Sequence, residues 1–232
     1  MRRFLLLLLC LTTTSLYAQV DVPVLEPQEI TMLPNTNLEV CDRVASTDYE
    51  ALSDVEIALL CFVEDDPVLR HFYSGSCSWY CGGQIDSVTA SSALADRYAA
   101  ENAHDFSIVT AWVEGVEGNG EGEYLRYSFP GTCPRITTVL IHNGYVKNWE
   151  VWYDNARVKR LLMYYNDEPY AILNLQDTMG LQSFEVGILG HEERSDASPA
   201  WSIKFEILEV YPGEKYEDTA ITEIYFDGID VH

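Results

Sequence analysis

Alternation of apolar and polar residues with a period of two dominates the second half of the chain. Leu125, Tyr127 and Phe129 alternate with Tyr124, Arg126 and Ser128. Trp201, Ile203, Phe205 and Ile207 alternate in the same way with Ser202, Lys204 and Glu206. Successive side chains of a strand point to opposite faces, so both runs predict half-buried strands. Ile136 to Ile141, Val158 to Tyr165, Ala171 to Leu175 and Phe184 to Leu189 are further β-rich runs, separated by Gly, Asn, Asp and Pro. Many short strands without an intervening helical pattern predict an all-β fold, an antiparallel β-sandwich or jelly roll. The last run, Ile221 to Phe226, puts Glu223 and Tyr225 on one face and Ile224 and Phe226 on the other. Read alone, Glu223 is a solvated strand position.

Upstream the texture differs. Asp21 to Asn37 is rich in Pro, Glu, Thr and Asn and reads as an extended linker or edge segment. Leu52, Val55, Leu59 and Phe62 then fall on one face of a helix, with Ser53 and Asp54 to cap it and Asp65-Asp66-Pro67 to end it. The chain therefore divides into a leader at 1–18, an extension with one short helix at 19–75, and a sandwich at 76–232. No internal repeat is visible.

The leader has a positive start in Arg2 and Arg3, an apolar run from Phe4 to Leu11, and a small residue, Ala18, at the cleavage point. The run is too short to cross a bilayer, which needs about 20 residues. Cys10 follows leucines, which argues against a lipid anchor. A secreted or periplasmic, cell-surface protein without membrane insertion is expected. Six cysteines are present, and five remain after cleavage: Cys41, Cys61, Cys77, Cys81 and Cys133. Export permits disulfides, and the odd number leaves at least one thiol. Zinc is the weaker reading, because Cys77 and Cys81 have no nearby pair of histidines.

The formal net charge of −23 narrows the partners. An acidic surface opposes nucleic-acid backbones and anionic lipid. It suits cations such as Ca²⁺, or neutral ligands such as glycans. Fifteen tyrosines and five tryptophans suit both a β core and a surface that stacks on sugars.

Two segments hold the candidate chemistry. Between Ala99 and Gly122 lie Asp105, Thr110 and Trp112, followed by Gly118, Gly120 and Gly122. Asp105 and Thr110 with main-chain carbonyls could wrap Ca²⁺, which takes about six to eight oxygens; Asp and Thr also make ordinary turns. Trp112, between apolar residues, reads as core. The glycines read as a tight turn, since Glu117, Glu121 and Glu123 would repel a phosphate. The second segment, His142 to Lys159, gathers Tyr145, Trp149, Trp152 and Tyr153 with amides and Arg157. Ring faces stack on pyranoses while amides and guanidinium groups bond their hydroxyls. If the segment is extended, Trp152 and Tyr153 point to opposite faces and one is buried. The histidines His71, His104, His142, His191 and His232 form no metal doublet, and no nucleophile elbow occurs. A non-enzymatic role is expected, although paired-acid glycosidase chemistry carries no motif to test.

The ordered motifs S-C-S-W-Y-C-G-G, N-A-H-D-F-S-I-V-T-A-W-V-E-G, G-N-G-E-G-E, I-H-N-G-Y, N-A-R-V-K, V-Y-P-G-E-K-Y-E-D-T-A-I-T-E-I and F-D-G complete the reading. From about Ser76 onward the chain resembles the NADase-type glycan-binding domain, a discoidin-like, galactose-binding-like branch of the coagulation-factor type C domains. The resemblance implies a jelly roll that binds carbohydrate, without NAD hydrolysis by this chain. It implies a structural Ca²⁺ held by Asp105 and Thr110 in a loop and by Glu223 in the last strand. His104 and Phe106 depart from the family pattern, in which Gly commonly follows the loop acid. Asn143 and Tyr145 match the N-G-Y motif, and Asn155 and Arg157 match N-x-R. These four are the expected glycan contacts, with Trp79 and Tyr80 beside the cysteines as a second choice. The same motifs equally fit a turn at N-G-Y and a buried hydrogen-bonding hub at Arg157. The expected function is a secreted, non-catalytic carbohydrate-binding module. The rival is a cell-surface protein-interaction module on the same fold.

Overall fold

The alternation in the sequence becomes alternation in burial. In the computed structural model, which describes residues 21–31, 83 and 85–230, every second residue of Tyr124–Phe129 is buried, and Trp201–Ile207 does the same. The described strands are β1 (Val24–Leu25), β2 (Glu29–Thr31), β3 (Ser87–Ala90), β4 (Trp112–Val113), β5 (Tyr124–Phe129) and β6 (Ile136–Asn143). A short helix, α1 (Trp149–Asp154), precedes β7 (Ala156–Tyr165), β8 (Glu168–Asn174), β9 (Leu181–Leu189), β10 (Trp201–Tyr211) and β11 (Thr219–Gly228). The helix predicted around Leu52 to Phe62 lies outside the described residues, as do Cys41, Cys61, Cys77 and Cys81 and the leader.

The strands form a β-sandwich within one hydrogen-bonded path, β2-β9-β6-β11-β7-β10-β5-β3. β11 joins the two layers. Its first residues pair in parallel with Ala156 and Arg157 of β7, and from Glu223 onward it pairs antiparallel with β6. Most pairings are antiparallel; β1 with β8 is the other parallel one. The segment Val24–Thr31 is part of the sheet, with β1 on β8 and β2 on β9.

The main core lies between the layers. Phe226 of β11 meets Tyr127 and Phe129 of β5 edge-on, at 5.1 and 5.2 Å between centroids. Phe129 stacks on Trp201, its register partner on β10, at 4.2 Å. Trp112 is fully buried, as its sequence context predicts, and its Nε1 donates to the Ser92 carbonyl. Cys133 is buried too, and desolvation, reinforced by Asp86 and opposed by Arg194, pushes its thiol pKa up to about 12.

β11 is covered on both faces. Ile224 and Phe226 enter the main core, while Tyr225 enters a second cluster with Ile108, Val146, Trp152, Met179 and Leu181. That second cluster lies under loops and α1. It explains why Glu223, one residue before Ile224, is not solvated: its exposure is 0 %.

A candidate binding cleft beside the Asp105 loop

Residues 142–159 are not extended. Asn148 accepts a hydrogen bond from the Val151 N–H at 2.9 Å and caps α1, a turn that the Asn-x-x pattern allows. The Asn155 amide closes the other end by donating to the Val151 carbonyl at 2.7 Å. Helical spacing then separates the aromatics: Trp152 is buried, whereas Trp149 and Tyr153 are exposed.

The two motifs flanking α1 hold each other. Asn143 Nδ2 donates to the Val158 carbonyl at 2.7 Å, and the Val158 N–H donates to Asn143 Oδ1 at 2.9 Å. Arg157 grips Asp177 through Nε and Nη2, both at 3.0 Å, and donates through Nη1 to the Asn155 and Pro212 carbonyls. Its guanidinium lies 4.5 Å from the Trp152 ring centre, and Trp152 Nε1 donates to the Asn143 carbonyl. Gly144, at φ +79°, sits where a Cβ would come within 2.5 Å of Arg157 Cγ. Of the two roles the motifs fit in sequence, Asn143 and Arg157 have the structural one. Asn143 is fully buried and Arg157 nearly so, and their polar atoms hold backbone and Asp177. Neither offers a surface to a sugar.

Tyr145 and Asn155 are placed differently. Both line an open cleft of about 670 Å³ formed by the β3–β4, β6–α1 and β10–β11 connections. Tyr98, Tyr216, Arg97, Lys147, Asp154 and Asp218 share it. Tyr98 meets Tyr145 edge-on at 6.4 Å, with the Arg97 guanidinium 4.7 Å above the Tyr98 ring. Lys215 bridges to Asp154 at 3.5 Å and covers Tyr216. Burial, only partly opposed by Lys147 and Arg97, raises the Tyr145 pKa. Tyr98, Arg97 and Tyr216 were not singled out as contacts in sequence, because they come from segments far apart and carry no local pattern. Trp79 and Tyr80 lie outside the described residues.

The loop of Asp105 abuts this cleft. Thr110 Oγ1 donates to both Asp105 oxygens, at 2.8 and 3.0 Å, and contacts the Ser107 carbonyl at 3.1 Å. The Ser107 N–H lies 3.0 Å from Asp105 Oδ1 and 3.1 Å from Glu223 Oε1. Asp105, Thr110 and Glu223 thus converge, as the resemblance implies. Glu223 Oε2 is buried without a hydrogen-bond partner. Burial, and after it the charge of Asp105, holds the Glu223 carboxyl well above the usual carboxylate range. Among the described residues no three His, Cys, Asp or Glu side chains gather as a metal cluster. A cation here would therefore draw on two carboxylates, a hydroxyl and main-chain carbonyls, an oxygen-only set that fits Ca²⁺. Phe106, which follows the loop acid, has a left-handed φ of +61°, a conformation that Gly adopts easily. Its ring packs on His104 and Tyr225.

The profile of the NAD glycohydrolase translocation F5/8 type C domain matches residues 79–227, more than half of the chain. This chain belongs to that family. Solved structures similar to it include the CBM32-1 and CBM32-2 domains of Clostridium perfringens ZmpB in complex with GalNAc, at 12 % identity and a TM-score of 0.46. That alignment covers 62 % of this chain and 33 % of the other, so the chain spans about a third of its length. Another is chitosan-binding module 2 in complex with chitotriose, from a chitosanase/glucanase of Paenibacillus sp. IK-5. It is 8 % identical with a TM-score of 0.40, over 61 % of this chain and 95 % of the module. No curated relative matches. The cleft of this chain lies on loops carried by the sandwich, the kind of place where binding residues concentrate.

Proposed function

We propose that this chain is an exported carbohydrate-binding module that holds a glycan in the Tyr98–Tyr145–Tyr216 cleft without transforming it. The observation that carries the reading is the cleft's composition. Three tyrosines, two amides (Asn148 and Asn155) and side chains of both charges converge on one open hollow. A pyranose presents an apolar face to rings and hydroxyls to such polar groups. The leader-like start of the chain, Met1 to Ala18, supports export.

Ca²⁺ bound by Asp105, Thr110 and Glu223 would neutralise the buried carboxylate and brace the loop that Tyr145 touches. Family membership and the oxygen-only donor set support this part of the reading.

A glycan array, followed by calorimetry on the hits, tests the function. N-acetylgalactosamine and chitotriose are natural first probes. Retention of a sugar, weakened at least about tenfold by Tyr98→Ala, supports it. Failure of the folded protein to retain any sugar points to a protein-interaction module, and release of reducing ends from a polysaccharide mixture points to a hydrolase. For the cation, Ca²⁺ must raise the melting temperature by mass action if it binds the native state alone. Asp105→Ala and Glu223→Ala each abolish that shift.

A further inference from the structure

The exposed aromatic rings of the described residues lie close together. Among the described residues three aromatic side chains are exposed: Trp149 at 51 %, Tyr153 at 44 % and Tyr216 at 44 %. The first two belong to α1, and the third lies in the loop bound to its end. The Glu214 N–H donates to the Tyr153 carbonyl at 2.9 Å, and the Tyr216 N–H donates to the Asp154 carbonyl at 2.8 Å.

Trp149 and Tyr153 are four residues apart, so they are neighbours on the helix surface. Their rings stack at 5.9 Å between centroids with 26° between planes. The helix beneath them is fixed at both caps, and Trp152 anchors it from below, meeting both rings edge-on. Such a pair loses little side-chain freedom when a ligand settles on it. At about 100° per residue, Val151, Asp154 and Asn155 face the cleft while Trp149 and Tyr153 occupy the other flank. The two surfaces are separated by roughly the width of a helix, ~10 Å. A single sugar ring does not touch both.

We propose that Trp149 and Tyr153 form a second sugar-stacking surface, so that the ligand is an uncharged glycan chain lying across α1 rather than a terminal monosaccharide. This inference rests on the carbohydrate reading of the cleft. Glu150, next to Trp149 in the chain, and Glu214, whose N–H bonds the Tyr153 carbonyl, are acidic neighbours of the pair, and the whole chain carries −23, which disfavours anionic lipid as the occupant. Stacking needs only the apolar face of a pyranose and no charge on the ligand.

Calorimetry on the full chain tests it, with N-acetylglucosamine against N-acetylchitotetraose and galactose against β-1,4-galactotetraose as probes. For at least one pair the tetrasaccharide binds about tenfold or more tighter than its monosaccharide, a step of about 1.4 kcal/mol. Trp149→Ala with Tyr153→Ala removes that gain and leaves the monosaccharide affinity in place. Trp149→Phe, which keeps a ring, retains most of it and guards against a folding artefact. In the unsubstituted protein, the tetrasaccharide shields Trp149 from acrylamide quenching and the monosaccharide does not. Equal affinity for both lengths, or a gain that survives the double substitution, overturns the inference while sparing the cleft. Shielding of Trp149 by phosphatidylcholine vesicles and not by any glycan overturns it in favour of a membrane surface. Failure of every probe to bind overturns the carbohydrate reading itself, and this inference with it.

Discussion

The Tyr145 hydroxyl donates a hydrogen bond to the main-chain carbonyl of Val109 at 3.0 Å. One residue thereby belongs to two features: its ring walls the cleft, and its hydroxyl holds the loop that runs from Asp105 to Thr110. If that loop binds Ca²⁺, the cation and the sugar are coupled through Tyr145. Tyr145→Phe keeps the ring and removes the bond. The expected outcome is a loss of about 1 kcal/mol in stability, the net worth of one hydrogen bond. Sugar affinity should also respond less to Ca²⁺ in the variant than in the wild type. Titrations with and without the cation check both parts.

Glu114 and Gly120 are a second coupled pair. Glu114 is fully buried, and its two carboxylate oxygens accept from the N–H groups of Thr219 and Val116 at 3.1 and 2.9 Å. Gly120 has φ +70°, and a Cβ there would come within 2.4 Å of Glu114 Cγ. Gly120→Ala therefore combines a strained backbone with a clash against a side chain fixed by two bonds. A loss of about 2 kcal/mol is expected, a fall of several degrees in melting temperature. Gly118→Ala, at φ +101° but with no atom near its Cβ, keeps the strain without the clash and loses less.

The same carboxylate gives a pH dependence with a definite sign. Burial raises the Glu114 pKa above its ordinary value of 4.5, although the two N–H groups pull it back. The folded state therefore holds the proton more tightly than the unfolded one. Its contribution to stability is full below about pH 4.5 and is lost as pH rises through the raised folded value. Melting curves of wild type and Glu114→Gln between pH 4 and pH 8 isolate the effect. The difference between them shifts against the wild type as pH rises through the folded pKa, and a constant difference refutes the assignment.

The strands were legible because a period of two survives wherever one face is buried, as in Leu125–Phe129 and Trp201–Ile207. Taken alone, the strand pattern makes Glu223 a solvated position, because its burial comes from a loop more than a hundred residues away, which no local pattern encodes. α1 was missed for a different reason. Six residues with a β-branched Val151 give no helical period, and only the Asn148 cap marks the start. The motifs around Asn143 and Arg157 were visible, but a motif does not say whether it serves ligand or fold. Burial decided that. Asp105 and Thr110 lie on a segment far from Glu223 in the chain, and the three meet around the Ser107 backbone, a proximity that no local pattern encodes.

The last prediction separates fold from binding at α1. Arg157 has little exposure, with two parallel bonds to Asp177, two more to carbonyls and a face on Trp152. Lysine keeps the charge but has neither the planar fork nor the stacking face. Arg157→Lys leaves Asp177 half-paired and two carbonyls short of a donor, and about 2 kcal/mol of stability should go. Because Trp152 and the Asn155 carbonyl lose their brace together, α1 loosens, and sugar affinity falls only as the helix end becomes mobile. Amide hydrogen exchange resolves the order. In Arg157→Lys the N–H groups of Trp152 and Asn155 exchange faster, while those of β5 and β10, across the sandwich, keep their relative protection. If Arg157 instead touched the glycan directly, affinity would fall with exchange at α1 unchanged.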